Sequence, residues 1–178
     1  MRPLALACLA LSLATAPATG AGSDSDSTYL VAGLTHGGFE GVAPPGCTLD
    51  ATSASATGAS LAVGYRYAGP FAVEFGYLSL GALDLHGICG IAASPVTVSA
   101  PDSGVQLALL AGFGIAPRWE LYGRAGLYSW SAAGRGGTEA LLGVGAQRAL
   151  GVRTALRLEH QRIGSDLDAL NLTVHIEF

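Results

Sequence analysis

The 178-residue chain has no lysine, and its nine arginines face 13 carboxylates, a formal charge of −4. A nucleic-acid binder needs a basic face, which this balance excludes. Charge of either sign is sparse at 12% while 50% of residues are hydrophobic, the reverse of a disordered chain. Long apolar runs are missing as well. A helix needs about 18 to 20 consecutive apolar residues to cross a bilayer. Past position 21 the best run, 107–117, has 11 residues and is interrupted by Gly112 and Gly114. With helical spanning excluded, an apolar chain with 26 glycines must satisfy its surface in another way.

Residues 1–21 have the layout of a secretory signal peptide: Arg2, an apolar stretch from Leu4 to Ala16, and small residues up to Thr19-Gly20-Ala21. Cleavage after Ala21 is expected, leaving residues 22–178 as one domain. Cys8 stands too early, and without leucine three places before it, to mark a lipoprotein.

Separating the two parities of each segment gives eight candidate strands of about 11 residues. In 57–67 the odd positions Leu61, Val63, Tyr65 and Tyr67 oppose Ser60, Gly64 and Arg66. Segment 71–77 sets Phe71, Val73, Phe75 and Tyr77 against Ala72, Glu74 and Gly76. The same alternation runs through 105–114, 119–128, 139–147, 152–161 and 170–178, and only the first strand, 28–36, has no clear facing. Tight connections at 68–70, 115–118 and 149–151 take turns with longer ones at 37–56, 81–102, 132–137 and 164–166. Alternating short and long connections are the mark of an outer-membrane barrel, with short periplasmic turns and longer outer loops. Pro44, Pro45, Pro70, Pro95, Pro101 and Pro117 all fall in connections, as full strand pairing requires.

A soluble sandwich or lipocalin-like barrel would also alternate, but its outward face would be charged. Here the polar face carries one or two charges per strand among small residues, too few to solubilise a surface and suited to a narrow lumen. Tyr67, Phe71, Phe113, Trp119 and Phe178 lie on the apolar face beside the short turns, where an aromatic girdle belongs. The fold predicted is all-β: an eight-stranded, antiparallel, up-and-down transmembrane β-barrel with both termini periplasmic.

The polar face collects Arg66, Arg124, Arg153 and Arg157 with Glu74, Glu120, Glu139, Glu159 and Glu177. An eight-stranded barrel is just wide enough for side chains to fill, so these nine residues are expected to form an ion-pair network in the lumen. A gated path for small ions is the sharper alternative. Cys47 and Cys89 fall in the two long outer loops, neighbours in a closed barrel and exposed to an oxidising exterior, so one disulfide is predicted, with two free thiols as the alternative. His36 and His86 near Glu40, Asp84 and Cys89 match no metal-ligand spacing. Neither a metal, a cofactor nor a catalytic set is expected.

The stretch Leu156-Arg157-Leu158-Glu159-His160-Gln161-Arg162-Ile163, then Asp166, Asp168-Ala169-Leu170-Asn171-Leu172 and a terminal Phe178, resembles the closing hairpin of OmpA-like and OmpX-like eight-stranded outer-membrane proteins. His160 stands where that family usually has an aromatic, and His175-Ile176-Glu177 replaces its frequent Tyr-Arg before the last phenylalanine. The resemblance implies a non-enzymatic, monomeric barrel that serves envelope integrity. Its surroundings would be outer-membrane lipid and lipopolysaccharide, its long loops would be free for a surface ligand or adhesion, and Phe178 would be the signal read by the barrel-assembly machinery. Lipid A deacylases share the strand count but use His-x-Ser; here Arg162 follows His160 by two places. A lipid A-modifying enzyme or a narrow channel is therefore the alternative.

Overall fold

The computed structural model describes residues 26–90, 94–132 and 135–178; the expected signal peptide lies outside them. Eight strands close into an antiparallel barrel: β1 (Ser27–Glu40), β3 (Ser53–Arg66), β4 (Phe71–Ser79), β7 (Ser103–Ala116), β8 (Trp119–Ala132), β9 (Arg135–Ala149), β10 (Thr154–Ile163) and β11 (Leu167–Glu177). Each pairs with its chain neighbour in the barrel, and β1 seals against β11 through a register running from Tyr29 opposite Glu177 to Phe39 opposite Leu167. Closure leaves no free edge in the barrel, so every strand can contribute its backbone groups to a ladder, the condition for crossing lipid.

The parity of the sequence decides what faces where. Along β4 the exposed residues Phe71, Phe75 and Tyr77 alternate with buried Ala72, Glu74, Gly76 and Leu78. The outer face of the whole barrel carries exposed Leu, Val, Ile and Phe side chains, and the interior holds the buried polar groups. A lipid-facing wall needs this inverted arrangement, since large apolar patches are not sustained in water. The first strand resolves to odd positions inward, with Tyr29, Val31 and Thr35 buried. Tyr67, Phe71, Phe113, Trp119 and Phe178 are all exposed on the outside near one rim.

That rim holds the connections 67–70, 117–118 and 150–153 together with the start of β1 and the end of β11. In the Pro117–Arg118 turn, proline fixes the first central position and Arg118 takes φ 71°, a left-handed conformation usually given to glycine or asparagine. At the opposite rim Gly164, with φ 61°, closes the β10–β11 hairpin.

Three features differ from the expectation. The predicted long connection 132–137 is largely strand, because β8 runs to Ala132 and β9 begins at Arg135, with Gly136 and Gly137 paired to Ser131 and Trp130. Val152, expected in the seventh strand, is wholly exposed in the turn before β10. Most of all, the two long outer loops are not irregular. They supply β2 (Cys47–Leu49), β5 (Asp84–Cys89) and β6 (Ser94–Ser99), a three-stranded sheet in the order β2-β5-β6. Pro95 thus lies in a strand, but in edge strand β6, where its missing N–H costs no ladder bond on the open side.

Candidate functional site

The interior is built in three levels, named from the turn-bearing rim upward. Near that rim Arg66 of β3 pairs with Glu120 of β8 at 3.3 Å, both side chains partly exposed. At mid-height four ions close a ring. Glu74 of β4 meets Arg124 of β8 at 3.0 Å and Arg157 of β10 at 2.6 Å, while Glu159 of β10 meets Arg124 at 2.9 Å and Arg157 at 3.7 Å. Each cation has two anions and each anion two cations, so the ring is neutral. The four side chains are no more than 5% exposed, so the ring must be closed to exist, because a buried ion without its partner costs several kcal/mol.

Tyrosines complete it. Tyr29 of β1 donates its hydroxyl to Glu74 at 3.0 Å, and Tyr122 of β8 donates to Glu159 at 2.6 Å. The Arg157 guanidinium lies 4.5 Å from the centre of the Tyr122 ring and donates Nε–H to its hydroxyl at 3.3 Å, which combines a cation–π contact with a hydrogen bond. The Gln161 amide donates to Glu159. Both tyrosines sit opposite glycines, Tyr29 across from Gly64 and Tyr122 across from Gly145, and a Cβ at either glycine would collide with the facing ring. Inward glycine is therefore the space in which the aromatic lies down to reach its carboxylate.

Above the ring the lumen turns apolar. Leu78, Leu80, Leu83, Tyr128, Leu141 and Ile163 are each no more than 1% exposed and belong to one packed cluster. Sequence reasoning missed this stopper, although its signal was present: leucines occupy the inward parity at the upper ends of strands whose inward face is otherwise small or polar.

Of the nine residues grouped from the sequence, Arg66, Glu74, Glu120, Arg124, Arg157 and Glu159 come together in these two levels. Glu139, Arg153 and Glu177 do not. Glu139 is exposed toward the upper end of β9, Arg153 is exposed in the turn before β10, and Glu177 ends β11, where it accepts a hydrogen bond from Ser27. Inward parity fails at strand ends because a rim residue reaches water, which solvates its charge without a partner. Phe178 is 70% exposed, and its N–H donates to the Thr28 carbonyl at 2.9 Å.

At the loop rim Cys47 and Cys89 stand directly opposite in the β2–β5 ladder and are joined by a disulfide. The face of the sheet away from them is hydroxylic, with His86 beside Thr97 at 3.2 Å and Ser99 donating to Asp84. Among the described residues no cluster of three or more His, Cys, Asp or Glu side chains is arranged to hold a metal ion.

The sequence profile of the outer membrane protein beta-barrel domain matches residues 6–177. The chain belongs to that family. It is a protein of the outer membrane, and the rim carrying the disulfide-linked sheet faces outward, opposite the short periplasmic turns. No curated protein matches it by sequence. Its fold is similar to that of the outer membrane protein OprG from Pseudomonas aeruginosa, at 10% identity and TM-score 0.58 over 88% of this chain and 98% of the other. It is also similar to Ail, the attachment invasion locus protein of Yersinia pestis, solved in complex with the heparin analogue sucrose octasulfate: 12% identity, TM-score 0.53, 86% of this chain and 99% of Ail. Neisserial surface protein A is a third, at 15% identity and TM-score 0.52 over 86% and 99% of the two chains.

Proposed function

We propose that this protein is a closed, non-enzymatic structural barrel that contributes to envelope integrity and holds a disulfide-braced sheet above the outer membrane as a contact surface. The observation that carries this reading is the filling of the lumen at two successive levels, a neutral ion ring and then an apolar stopper, while the chemistry left open to solvent gathers on the β2-β5-β6 sheet. Among the described residues, a lumen so filled leaves no open water path and no interior cleft for a reacting group.

The contact surface differs in charge from one suited to a sulfated sugar such as the ligand of Ail. Across 41–102 the sole arginine, Arg66, is inside the barrel, and the outer sheet and its flanks carry Asp50, Asp84 and Asp102. A neutral or cationic partner fits this surface. We assign residues 1–21 as a cleaved secretion signal, the barrel as a monomer, and Phe178 as the contact read by the barrel-assembly machinery, since its ring is offered outward at the end of the sealing strand.

The test compares cells with and without the protein for detergent and antibiotic sensitivity, and records purified barrel in planar bilayers. Increased sensitivity on deletion and electrically silent bilayers are expected. A steady unitary conductance, or altered acylation of lipid A in cells carrying the protein, would overturn the reading. Phe178→Ala should lower the fraction of barrel that migrates as a compact species before heating.

A further inference from the structure

One patch of the lipid-facing wall is hollow. Across β7, β8, β9 and β10 the register places Leu109, Ala125, Leu142 and Arg162 side by side in one row. The next row, toward the periplasm, is Ala111, Gly123, Val144 and His160. At its centre Ala111, Gly123 and Ala125 leave a groove of about 620 Å³ between larger apolar neighbours. A Cβ built on Gly123 meets nothing within 4 Å, so this floor is held open with no barrel atom above it. Four strands at their usual spacing give the groove a length of about 14 Å.

Its two ends differ in chemistry. The β7 end lies six residues along that strand from its outer start and is wholly apolar, whereas the β10 end lies one residue from the outer end of that strand and carries Arg162. The groove thus slants from the hydrocarbon interior up to the outer-leaflet headgroups. At that upper end His160 is paired with Asp168 at 3.4 Å. Arg162 donates one Nη to the Ser165 carbonyl at 2.6 Å, and among the described residues no carboxylate lies within ion-pair distance of its guanidinium. Asp168, directly opposite Arg162 in the β10–β11 ladder, turns its carboxylate to His160, which leaves the exposed Arg162 guanidinium open to an anionic headgroup at the interface, and the apolar channel below it takes a chain.

We propose that this groove binds one lipopolysaccharide molecule, an acyl chain lying over Gly123 between Leu109 and Val144 and a lipid A phosphate against Arg162. The assignment rests on the outward-facing geometry and stands whether or not the barrel serves as a structural contact protein.

The experiment is native mass spectrometry of the full chain released in mild detergent, with purified bisphosphorylated lipid A, dephosphorylated lipid A and phosphatidylglycerol as separate probes. One bisphosphorylated lipid A per chain is expected, with about fivefold weaker retention for Arg162→Gln or for the dephosphorylated probe. Gly123→Leu fills the groove without touching the barrel, and Ala125→Leu does so from the adjacent strand; either should reduce retention by about tenfold or more. Compact migration before heating shows that each variant still folds. Equal retention by the wild type and all three variants, equal retention of phosphatidylglycerol, or a two-chain species lost on Gly123→Leu, would each overturn the proposal, the last by placing a second copy in the groove.

Discussion

The lumen ring and the outer sheet are both polar constructions on the same barrel, yet they are secured in opposite ways. The ring has no covalent link and depends on burial: Glu74, Arg124, Arg157 and Glu159 are held by one another and by two tyrosines, out of reach of water. The sheet is open to water and depends on a covalent bond, the Cys47–Cys89 disulfide, with hydroxyls and a histidine spread over its outer face. Where solvent is excluded, electrostatics alone suffices and is unforgiving of loss; where solvent is present, charge pairs contribute little and a covalent brace takes their place.

Breaking the ring should produce the largest effect. Glu74→Ala removes the anion shared by Arg124 and Arg157 and should destabilise the barrel by about 3–5 kcal/mol, read from the urea midpoint of refolded protein in detergent. A drop below about 1 kcal/mol would mean that water reaches the ring. Breaking the brace should be milder and confined to the sheet. A loop of this span contributes up to about 4 kcal/mol on the chain-entropy account, but the barrel already holds its ends, so about 2 kcal/mol is expected. Cys47→Ser with Cys89→Ser should speed protease cleavage within 41–102 and leave the barrel midpoint unchanged.

The Arg66–Glu120 pair sharpens the contrast within the lumen itself, since its side chains are 16% and 22% exposed. Glu120→Gln should cost no more than about 1 kcal/mol, and an effect equal to that of Glu74→Ala would erase the distinction between rim and ring. The smallest effect concerns Asp26, fully outside the barrel wall. Its carboxylate accepts hydrogen bonds from the Tyr65 hydroxyl at 2.7 Å and the Ala68 amide at 2.8 Å, which hold its pKa below the ordinary aspartate value. A carboxyl lowered in the folded state contributes above its unfolded pKa and loses that contribution as pH falls through the folded one. Hydrogen exchange at the Ala68 amide should therefore stay protected down to acid below the normal aspartate range. Asp26→Asn should weaken that protection at neutral pH without moving the barrel midpoint.

Parity made the barrel legible, and it did so because lipid and lumen demand opposite chemistry at every second residue. The eight strands, and the inward set that includes Arg66, Glu74, Glu120, Arg124, Arg157 and Glu159, follow from that one period of two, whereas which cation meets which anion does not. Strand ends were less legible for the same reason: at a rim the lumen stops imposing its rule, so Glu139, Arg153 and Glu177 share the inward pattern without sharing the interior. The outer sheet was hidden because β5 and β6 are six residues each and broken by Gly87 and Pro95, too short for alternation to stand out. Gly136 and Gly137 signalled a loop, yet the Trp130 ring covers Gly137 and keeps it in the ladder.

The ring also bears on how the barrel is put together. Glu74 and Arg157 lie 83 residues apart in the chain, and Arg124 and Glu159 lie 35 apart. A partly inserted sheet that has β4 and β8 but not β10 leaves Glu74 with Arg124 alone and each short of its second partner, so intermediates carry a penalty that is fully removed only when β10 arrives. Completion of the ring thus requires β4, β8 and β10 in one closed sheet, which ties the neutrality of the lumen to circular closure.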